Sequence, residues 1–349
     1  MLNDPLKIRN ITVKNRFAIP PMVCFFRAGE NSTVSEFNVD HYRQLAEGGA
    51  GLIIVEATAI TPRARLHETE LGLWEDSQID GFRRITDVIH ANGAKAFIQL
   101  VHAGGNGIDP EADAPSTMDY WGGIRGIEMS PETIRKAIDD FVSASLRAKK
   151  AGFDGVEIHG CHGYLVSCFF SRTRNHREDE WGRDRTLFAR QILCAVREAC
   201  GPDFVVGIRL GAFEPTLDDG LAHAKAIADV TDFLDVSYGA DSKAIKPEGF
   251  LCSPAVYGAM KIKEELPEMP VFGVHGINSA EDAENALATG IDMVDVAHAC
   301  LVDPAFPKHV LSGEPAGHCL NCKGYCRWNP PTMADPNAVC PGKARTFRK

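Results

Sequence analysis

Two histidines and a tyrosine follow a short apolar stretch in EIHGCHGYLVSCFF, at residues 157–170. His159 and His162 are three residues apart, and Tyr164 comes two residues later. Two imidazoles can donate hydrogen bonds to a carbonyl oxygen on which negative charge develops, and fixed donors stabilise such charge. A tyrosine has a reference pKa of about 10, so it keeps its proton at neutral pH and can deliver it to carbon.

The same spacing has two other interpretations. A pair of histidines can ligate zinc, but a zinc site needs a third ligand and an open position, and Glu157 is not an obvious third ligand. A His-x-x-His pair can also serve only in packing, because function depends on the whole site rather than on one spacing. The residues alone therefore leave catalysis, metal binding and packing open.

A second group of chemically versatile residues lies near the end of the chain. Four of the eleven cysteines follow a C-x₂-C-x₃-C-x₁₃-C pattern and are Cys319, Cys322, Cys326 and Cys340. A compact triad with a distant fourth thiolate suits a [4Fe-4S] cluster, in which each iron takes one cysteine. A zinc tetrathiolate is the alternative, although paired C-x₂-C units are its commoner form. We expect the other seven cysteines to be small buried apolar side chains.

The composition excludes several classes of partner. The 349 residues carry a net charge of −10 without a basic block, so neither phosphate backbones nor anionic lipids are attracted, and we expect no nucleic-acid and no membrane partner. The start MLNDPLKIRN lacks a secretory signal, and apolar runs such as GLIIVEA are too short to span a membrane. These features predict a cytoplasmic protein. Because cytoplasmic thiols are kept reduced, we do not expect its eleven cysteines to form a disulfide framework.

The elements that must position these residues alternate between short β-branched runs and longer helical stretches. Eight strand candidates can be read from the sequence: RFAIPPM, GLIIVEATAI, AKAFIQLV, GVEIH, VVGIRL, FLDVSY, PVFGVH and MVDVAH. Helical stretches between them end at glycines such as Gly93, Gly152 and Gly290, where a left-handed C-cap is easiest. The pattern predicts an α/β fold, a (β/α)₈ TIM barrel over residues 1–312, followed by a short cysteine-rich iron–sulfur segment at 313–349.

Reacting groups in such barrels lie at the carboxyl ends of the strands. Polar residues recur at those predicted ends, including Glu56, Gln99, His159, Arg209 and His275. The long connection after the third strand, residues 102–132, exceeds an ordinary βα loop and is predicted to form a lid.

Several segments in order, NRFAIPPM, VEATAI, FIQLVHAG, APS and H-x-x-H-G-Y-L followed by N-x-R-x-D-x-W-G, resemble the Old Yellow Enzyme family of FMN-dependent ene-reductases. The resemblance implies FMN across the barrel mouth, with its phosphate toward strands seven and eight. It places His159 and His162 at the substrate carbonyl and makes Tyr164 the proton donor. It also implies ring contacts from Pro21, Met22, Val23, Ala57, Gln99 and Arg209.

The sequence departs from the family pattern at several positions, among them Gly105 and Arg172, and two departures concern the flavin directly. A Gly-Arg pair after strand eight, whose arginine grips the FMN phosphate, is replaced by Ala297 and His298. Backbone N–H groups at Gly276, Ile277, Ala297 and His298 could bind the phosphate instead. Val23 stands where relatives carry Thr or a cysteine that links the flavin covalently, so we predict non-covalent FMN.

The cysteine spacing is similar to that of the iron–sulfur branch of the family, typified by 2,4-dienoyl-CoA reductase. Members of that branch continue into FAD- and nucleotide-binding domains, whereas this sequence has no strand followed by G-x-G-x-x-G. We therefore expect electrons to come from a separate flavoprotein or ferredoxin through the cluster, or from NAD(P)H acting directly on FMN.

Together these features predict an ene-reductase with FMN and a [4Fe-4S] cluster. Its substrate would be a small α,β-unsaturated carbonyl compound, either an enone or an enoyl thioester. A flavin-dependent amine dehydrogenase and a non-catalytic electron-transfer subunit are the alternatives. A homo-oligomer is compatible with the sequence, which does not fix the number of copies.

Overall fold

The computed structural model describes residues 1–240, 243–322, 340 and 342–343. Near the start, the hairpin strands β1 (Leu6–Ile8) and β2 (Ile11–Val13) pair antiparallel. Eight further strands run parallel and close into a barrel, so the predicted TIM barrel is confirmed. In barrel order these strands are β3 (Phe17–Ile19), β4 (Leu52–Ala59), β5 (Lys95–Val101), β9 (Gly155–Gly160), β10 (Val205–Gly211), β11 (Leu234–Ser237), β12 (Val271–Val274) and β13 (Met293–Asp295).

Helices surround the barrel, because an amphipathic helix buries its apolar stripe against the strands. In the second helix the buried residues Phe82, Ile85 and Ile89 are spaced by three and four, which faces them toward the strands. The predicted C-cap glycines Gly93 and Gly152 have positive φ, as expected. The helices are α1 (Glu36–Glu47), α2 (Ile79–Ala91), α3 (Pro131–Lys150), α4 (Leu165–Phe170), α5 (Glu180–Arg183), α6 (Leu187–Cys200), α7 (Leu217–Ile227), α8 (Pro254–Glu265), α9 (Ala280–Ala288), α10 (His298–Val302) and α11 (Phe306–Ser312).

Apolar packing fills the amino-terminal end of the barrel. Three rings stack across it, Phe97 on Phe233 at 5.3 Å and Phe233 on Phe272 at 4.9 Å between centroids. The hairpin residues Ile8 and Val13 are fully buried in the same cluster. Since this end is packed with side chains, the polar residues collect at the opposite end, where the strands finish.

The connection predicted to be a lid forms a small sheet of its own. Strands β6 (Glu111–Ala114), β8 (Arg125–Glu128) and β7 (Met118–Asp119) lie side by side in that order. Trp121, at the tip between β7 and β8, is 94% exposed. The sheet is ordered, so the length of the connection reflects added structure, and its action as a lid stays a prediction.

The N-x-R-x-D-x-W-G motif anchors this sheet to the barrel. The Arg177 guanidinium donates to the carbonyl oxygens of Pro115 and Met129 at 3.0 and 2.8 Å, beside both ends of the sheet. Asp179 pairs with Arg177 and also accepts from the backbone N–H of Trp181 at the start of α5. The motif is therefore structural and holds the lid sheet in a fixed place.

After α11, Gly313 has a φ of +72° and ends the helix, and residues 314–322 form neither helix nor strand. The predicted division at 312/313 stays a prediction. Within the described residues, no helix is both long enough and apolar enough to cross a membrane. Cys326 lies outside the described residues.

Candidate active site

Two adjoining cavities open at the carboxyl ends of the strands and share Pro21 and Arg209. Their volumes are about 210 Å³ and 170 Å³. The first, here called the ring cavity, is lined by Pro21, Val23, Phe25, Ala57, Leu66, Gln99, His159, His162, Tyr164 and Arg209. The second, the tail cavity, includes Met22, Arg209, His275, Gly276, Ile277, Asn278, Asp295, Ala297 and His298. Every residue that the sequence predicts for catalysis or flavin binding therefore lines one cavity or the other.

A tight turn after β9 gathers the catalytic candidates. His159 lies within the strand, and the positive φ values of His162 (+63°) and Gly163 (+74°) then reverse the chain. The turn brings the His162 ring to 5.2 Å from the His159 ring and the Tyr164 ring to 4.7 Å from it, both edge-on. A positive φ is uncommon outside glycine, so the backbone conformation of His162 is strained. The contacts around the turn must offset this strain.

Both imidazoles are neutral near pH 7. Burial lowers the pKa of His159 well below its ordinary value, and the nearby His162 and Arg209 lower it further. The pKa of His162 is lowered to about 3, chiefly because protein atoms crowd its ring even though the residue reaches the surface at the mouth, and also because Arg209 and His275 are close. A neutral imidazole still carries one N–H donor, so the pair can donate hydrogen bonds without adding positive charge.

Tyr164 keeps its proton firmly. Burial raises the pKa of its hydroxyl to about 12, and the carboxyl group of Glu70 and the thiol of Cys161 add to the rise. At neutral pH the side chain is therefore a phenol next to His159. A phenol at the cavity wall can act as a general acid.

A charged network that the sequence did not reveal lies beneath the two cavities. Arg209 donates from Nη1 to Asp235 Oδ2 at 2.7 Å, and Gln99 Nε2 donates to Glu157 Oε1 at 2.7 Å. Asp295, at the end of β13, is also close enough to interact electrostatically with Arg209. One guanidinium thus stands among three buried carboxyl groups, and the pKa values of Glu157 and Asp295 are raised well above the ordinary carboxyl range by burial and by the charge of Asp235.

Several atoms of this network have no hydrogen-bond partner within the protein. They include Arg209 Nε, on a side chain that lines the tail cavity; Asp295, in the same cavity, pairs with the carboxyl group of Asp235 and still has oxygen lone pairs to offer a ligand. A buried polar group without a partner costs roughly 1–3 kcal/mol, so these groups fit a polar ligand at the mouth. A flavin matches them, because its ring edge offers acceptors to an arginine and its ribityl chain offers hydroxyl donors to a carboxyl group.

At the far end of the tail cavity, backbone N–H groups rather than charged side chains are available to bind a phosphate. His275 and Gly276 both have positive φ, +76° and +79°, a conformation that turns successive N–H groups toward one concave side. Arg209 is the sole arginine or lysine among the described residues lining this cavity, and Asp235 already holds it. His298 occupies the place of the arginine that the family pattern would put there.

The comparisons with known proteins agree with this arrangement. The model of the NADH:flavin oxidoreductase / NADH oxidase family matches residues 1–316. The chain belongs to this family. It is accordingly a flavin-dependent oxidoreductase on a TIM barrel, with FMN as the cofactor of the family.

Three solved structures illustrate the relationship. A 2-naphthoyl-CoA reductase in complex with 2-naphthoyl-CoA is 25% identical with a TM-score of 0.83, and the match covers 96% of this chain and 58% of that one. Histamine dehydrogenase from Rhizobium sp. 4-9 is 27% identical with a TM-score of 0.78, over 89% of this chain and 48% of that one. The Old Yellow Enzyme homologue from Zymomonas mobilis shares the fold at 24% identity, with a TM-score of 0.78 over 96% and 98% of the two chains. The chain thus spans about half to three fifths of the length of the first two.

The C-terminal cysteines of this flavin oxidoreductase are only partly described. Cys340 lines a separate cavity of about 170 Å³ with His41 of α1 and Cys300 of α10, and Cys319 and Cys322 are partly exposed. All ten described cysteines are free thiols. Of the seven predicted to be buried, five are, whereas Cys194 is exposed and Cys252 is partly exposed. Over the part of the chain that the structure describes, the one compact group of three potential metal ligands is His159, Cys161 and His162. The predicted cluster at Cys319, Cys322, Cys326 and Cys340 stays a prediction.

Four residues of the site have roles that the sequence did not indicate. Asp235 and Asp295 sit inside apolar-looking strands, and only the closed barrel brings both to Arg209. Ser237, at the end of β11, forms a 2.9 Å hydrogen bond with His162 Nε2 and thereby orients that ring. Glu157 could have been found from strand alternation, since it lies two residues before His159 and therefore faces the same side.

Proposed function

We propose that the chain is an FMN-dependent ene-reductase that reduces the C=C bond of an α,β-unsaturated carbonyl compound, either an enone or an enoyl thioester. The observation that carries the proposal is the group of His159, His162 and Tyr164 around one cavity. Two neutral donors and one protonated phenol are what the reaction needs. The position of Gln99 and Arg209 in the same cavity supports a flavin beside them.

The residues that would hold FMN divide by cavity. Pro21, Met22 and Val23 would support the ring from β3, while Ala57 and Gln99 would face it. Arg209 would contact the N1/O2 edge, and Gly276, Ile277, Ala297 and His298 would bind the phosphate. Bound FMN would supply the hydride that is added to the β-carbon, because no side chain can supply one.

The protein's own groups would handle the carbonyl and the proton. His159 and His162 would donate hydrogen bonds to the carbonyl oxygen, which gains negative charge as the β-carbon is reduced. Ser237 would keep the His162 ring turned toward that oxygen. Tyr164 would then release its proton to the α-carbon and recover one from solvent.

The similarity to histamine dehydrogenase is the observation that favours an amine dehydrogenase as a second candidate. That reaction would run the flavin in the oxidative direction. An alkylated amine would be bound best by an aromatic enclosure, whereas the described lining of the ring cavity offers the aromatic rings of Phe25 and Tyr164 beside two imidazoles. The ring cavity therefore supports a carbonyl ligand better.

For the C-terminal segment we propose a [4Fe-4S] cluster on Cys319, Cys322, Cys326 and Cys340. Histamine dehydrogenase as a neighbour and the cysteine spacing support this assignment, with zinc as the alternative metal. A separate flavoprotein or a ferredoxin would deliver single electrons to the cluster, or NAD(P)H would reduce the FMN directly.

The test is an anaerobic mixing experiment on the full chain loaded with FMN. The protein is reduced with dithionite and mixed with 2-cyclohexenone or crotonyl-CoA, and the recovery of oxidised-flavin absorbance is followed. We expect recovery whose rate rises with substrate concentration, and none with the saturated ketone cyclohexanone. A protein that holds FMN but is not reoxidised by either unsaturated compound would overturn the proposal.

A further inference from the structure

The turn that carries the catalytic residues also contains a cysteine that the proposed reaction does not use. Cys161 is fully buried, and its Sγ lies 3.8 Å from His159 Nδ1. The ligand atoms of His159, Cys161 and His162 all lie within 4.8 Å of one another. We propose that these three side chains bind Zn²⁺ and that the bound ion blocks the position of the substrate carbonyl.

The backbone explains why three ligands converge within four residues. His159 and Cys161 are separated by one residue in extended chain, so their side chains project from the same face. Gly160 lies between them against Ile208 and Arg209 of the neighbouring strand, where a Cβ would come within 2.9 Å of the Arg209 carbonyl oxygen. The positive φ values of His162 and Gly163 then return the His162 ring to the same side.

One of the three distances between ligand atoms already suits a zinc ion, and all three lie within 4.8 Å. With zinc–nitrogen and zinc–sulfur bonds of about 2.0 and 2.3 Å, two ligands of one tetrahedral ion lie about 3.6 Å apart. The 3.8 Å between His159 Nδ1 and Cys161 Sγ is close to that value. His162 lies at the mouth and its Nε2 is held by Ser237 at 2.9 Å, so zinc binding through this nitrogen would replace that hydrogen bond.

The ligand chemistry also favours zinc over other cations. A neutral imidazole has a free lone pair, and a thiol binds as the thiolate, with its proton released to solvent. Nitrogen and sulfur ligands select zinc rather than magnesium or calcium, and zinc does not oxidise a thiol as copper(II) does. Three protein ligands leave the fourth position open to water, as in other sites where zinc contacts solvent.

An ion at this place would compete with the substrate. Zinc would occupy nitrogen atoms of the two imidazoles that the proposed reaction uses as hydrogen-bond donors, so the carbonyl oxygen would lose these donors. Zinc binding itself does not depend on the proposed function, whereas the expected inhibition rests on it. The two parts can therefore fail separately.

The experiment compares zinc uptake by the FMN-loaded full chain in three forms, by titration calorimetry with ZnCl₂. The forms are wild type, Cys161→Ala and Cys168→Ala, since Cys168 is an equally buried cysteine outside the group. We expect wild type and Cys168→Ala to bind one more zinc equivalent than Cys161→Ala. Zinc on the C-terminal cysteines would be common to all three forms. Equal uptake by wild type and Cys161→Ala would overturn the proposal.

A second measurement on the wild-type protein guards against a folding defect in the variant. Crystals soaked in ZnCl₂ should give an anomalous peak bonded to His159, Cys161 and His162, and zinc should raise the KM for 2-cyclohexenone without lowering kcat. Anomalous density confined to other sites would refute the zinc site. A zinc site in a protein that reduces no enone would instead refute the proposed function alone.

Discussion

Single residues at the barrel mouth carry buried polar groups whose hydrogen bonding within the protein is incomplete. Asp295 is an example, because it is 1% exposed and its carboxyl group, which pairs with that of Asp235, still has oxygen lone pairs to offer a ligand. It lines the tail cavity together with Arg209 and Ala297. We infer that ribityl hydroxyls donate to this carboxyl group.

Replacing Asp295 by alanine should therefore weaken binding of FMN and riboflavin by about tenfold, which corresponds to one hydrogen bond of roughly 1.4 kcal/mol. Lumiflavin has the same ring without the ribityl chain, so its affinity should be nearly unchanged. Quenching of flavin fluorescence gives the three dissociation constants. Asp295→Asn, which retains one acceptor oxygen, is the matched control and should show a smaller loss. An equal loss for all three flavins would assign Asp295 to the ring instead.

Tyr164→Phe removes the proposed acid and little else. Reoxidation of the reduced flavin by 2-cyclohexenone should slow by about 10²–10⁴, the usual contribution of a general acid, while enone binding is retained. Stopped-flow absorbance measures both. Tyr238→Phe is the matched control, since its ring stacks on His275 at the mouth but lines neither cavity, and its rate should stay close to wild type. Unchanged reoxidation in Tyr164→Phe would remove this residue from the mechanism.

At the scale of elements, buried carboxyl groups connect the barrel to its helices. Glu56 of β4 accepts hydrogen bonds from the Cys24 backbone N–H at 2.7 Å and from the hydroxyl of Tyr42 in α1 at 3.1 Å. Burial raises the pKa of Glu56 from 4.5 to about 7, and these hydrogen bonds oppose part of the rise. The folded protein therefore holds this proton more tightly than the unfolded chain.

The raised pKa of Glu56 makes the free energy of unfolding fall as the pH rises. The stabilisation from the bound proton is complete below pH 4.5 and is lost as the pH rises through about 7, which costs about 3 kcal/mol of unfolding free energy. Glu56→Gln should lack this loss, so its stability relative to wild type should rise by that amount between pH 4.5 and pH 8. Denaturant unfolding at several pH values measures the difference. Two parallel stability curves would contradict the assigned pKa.

The sequence predicts the elements well because hydrophobic periodicity depends on local structure. All eight strands and the capping glycines lie where the pattern places them. The catalytic candidates of β9 and its turn could be identified because His159, His162 and Tyr164 lie close together in the sequence. Asp235, Ser237 and Asp295 could not, because their meeting with Arg209 and His162 depends on barrel closure, which brings together residues far apart in sequence.

For the whole molecule, the proposed electron supply depends on the C-terminal cysteines. If a [4Fe-4S] cluster is bound, Cys322→Ser should lose most of the roughly four iron and four sulfide per chain, because every iron needs its own cysteine. Cys194→Ser, at an exposed cysteine outside the set, is the control and should keep both. Iron and sulfide analysis after anaerobic purification gives the result. Zinc in place of iron in the wild-type protein would contradict the cluster.

The source of electrons can be examined on the same preparation. If a separate flavoprotein or ferredoxin is the donor, NADH or NADPH alone should bleach the flavin much more slowly than the enzyme turns over. Anaerobic titration followed by visible absorbance measures this rate. Bleaching by NADH alone at the rate of turnover would show that the external donor is unnecessary.

The most direct test of the account is whether the barrel mouth holds a flavin. The full chain is purified without oxygen, its visible spectrum is recorded, and it is then titrated with FMN. We predict oxidised-flavin absorbance and saturation at one FMN per chain, with weaker binding in a variant that combines Gln99→Ala with Asp295→Ala. A colourless protein that binds no FMN even in excess would contradict the account.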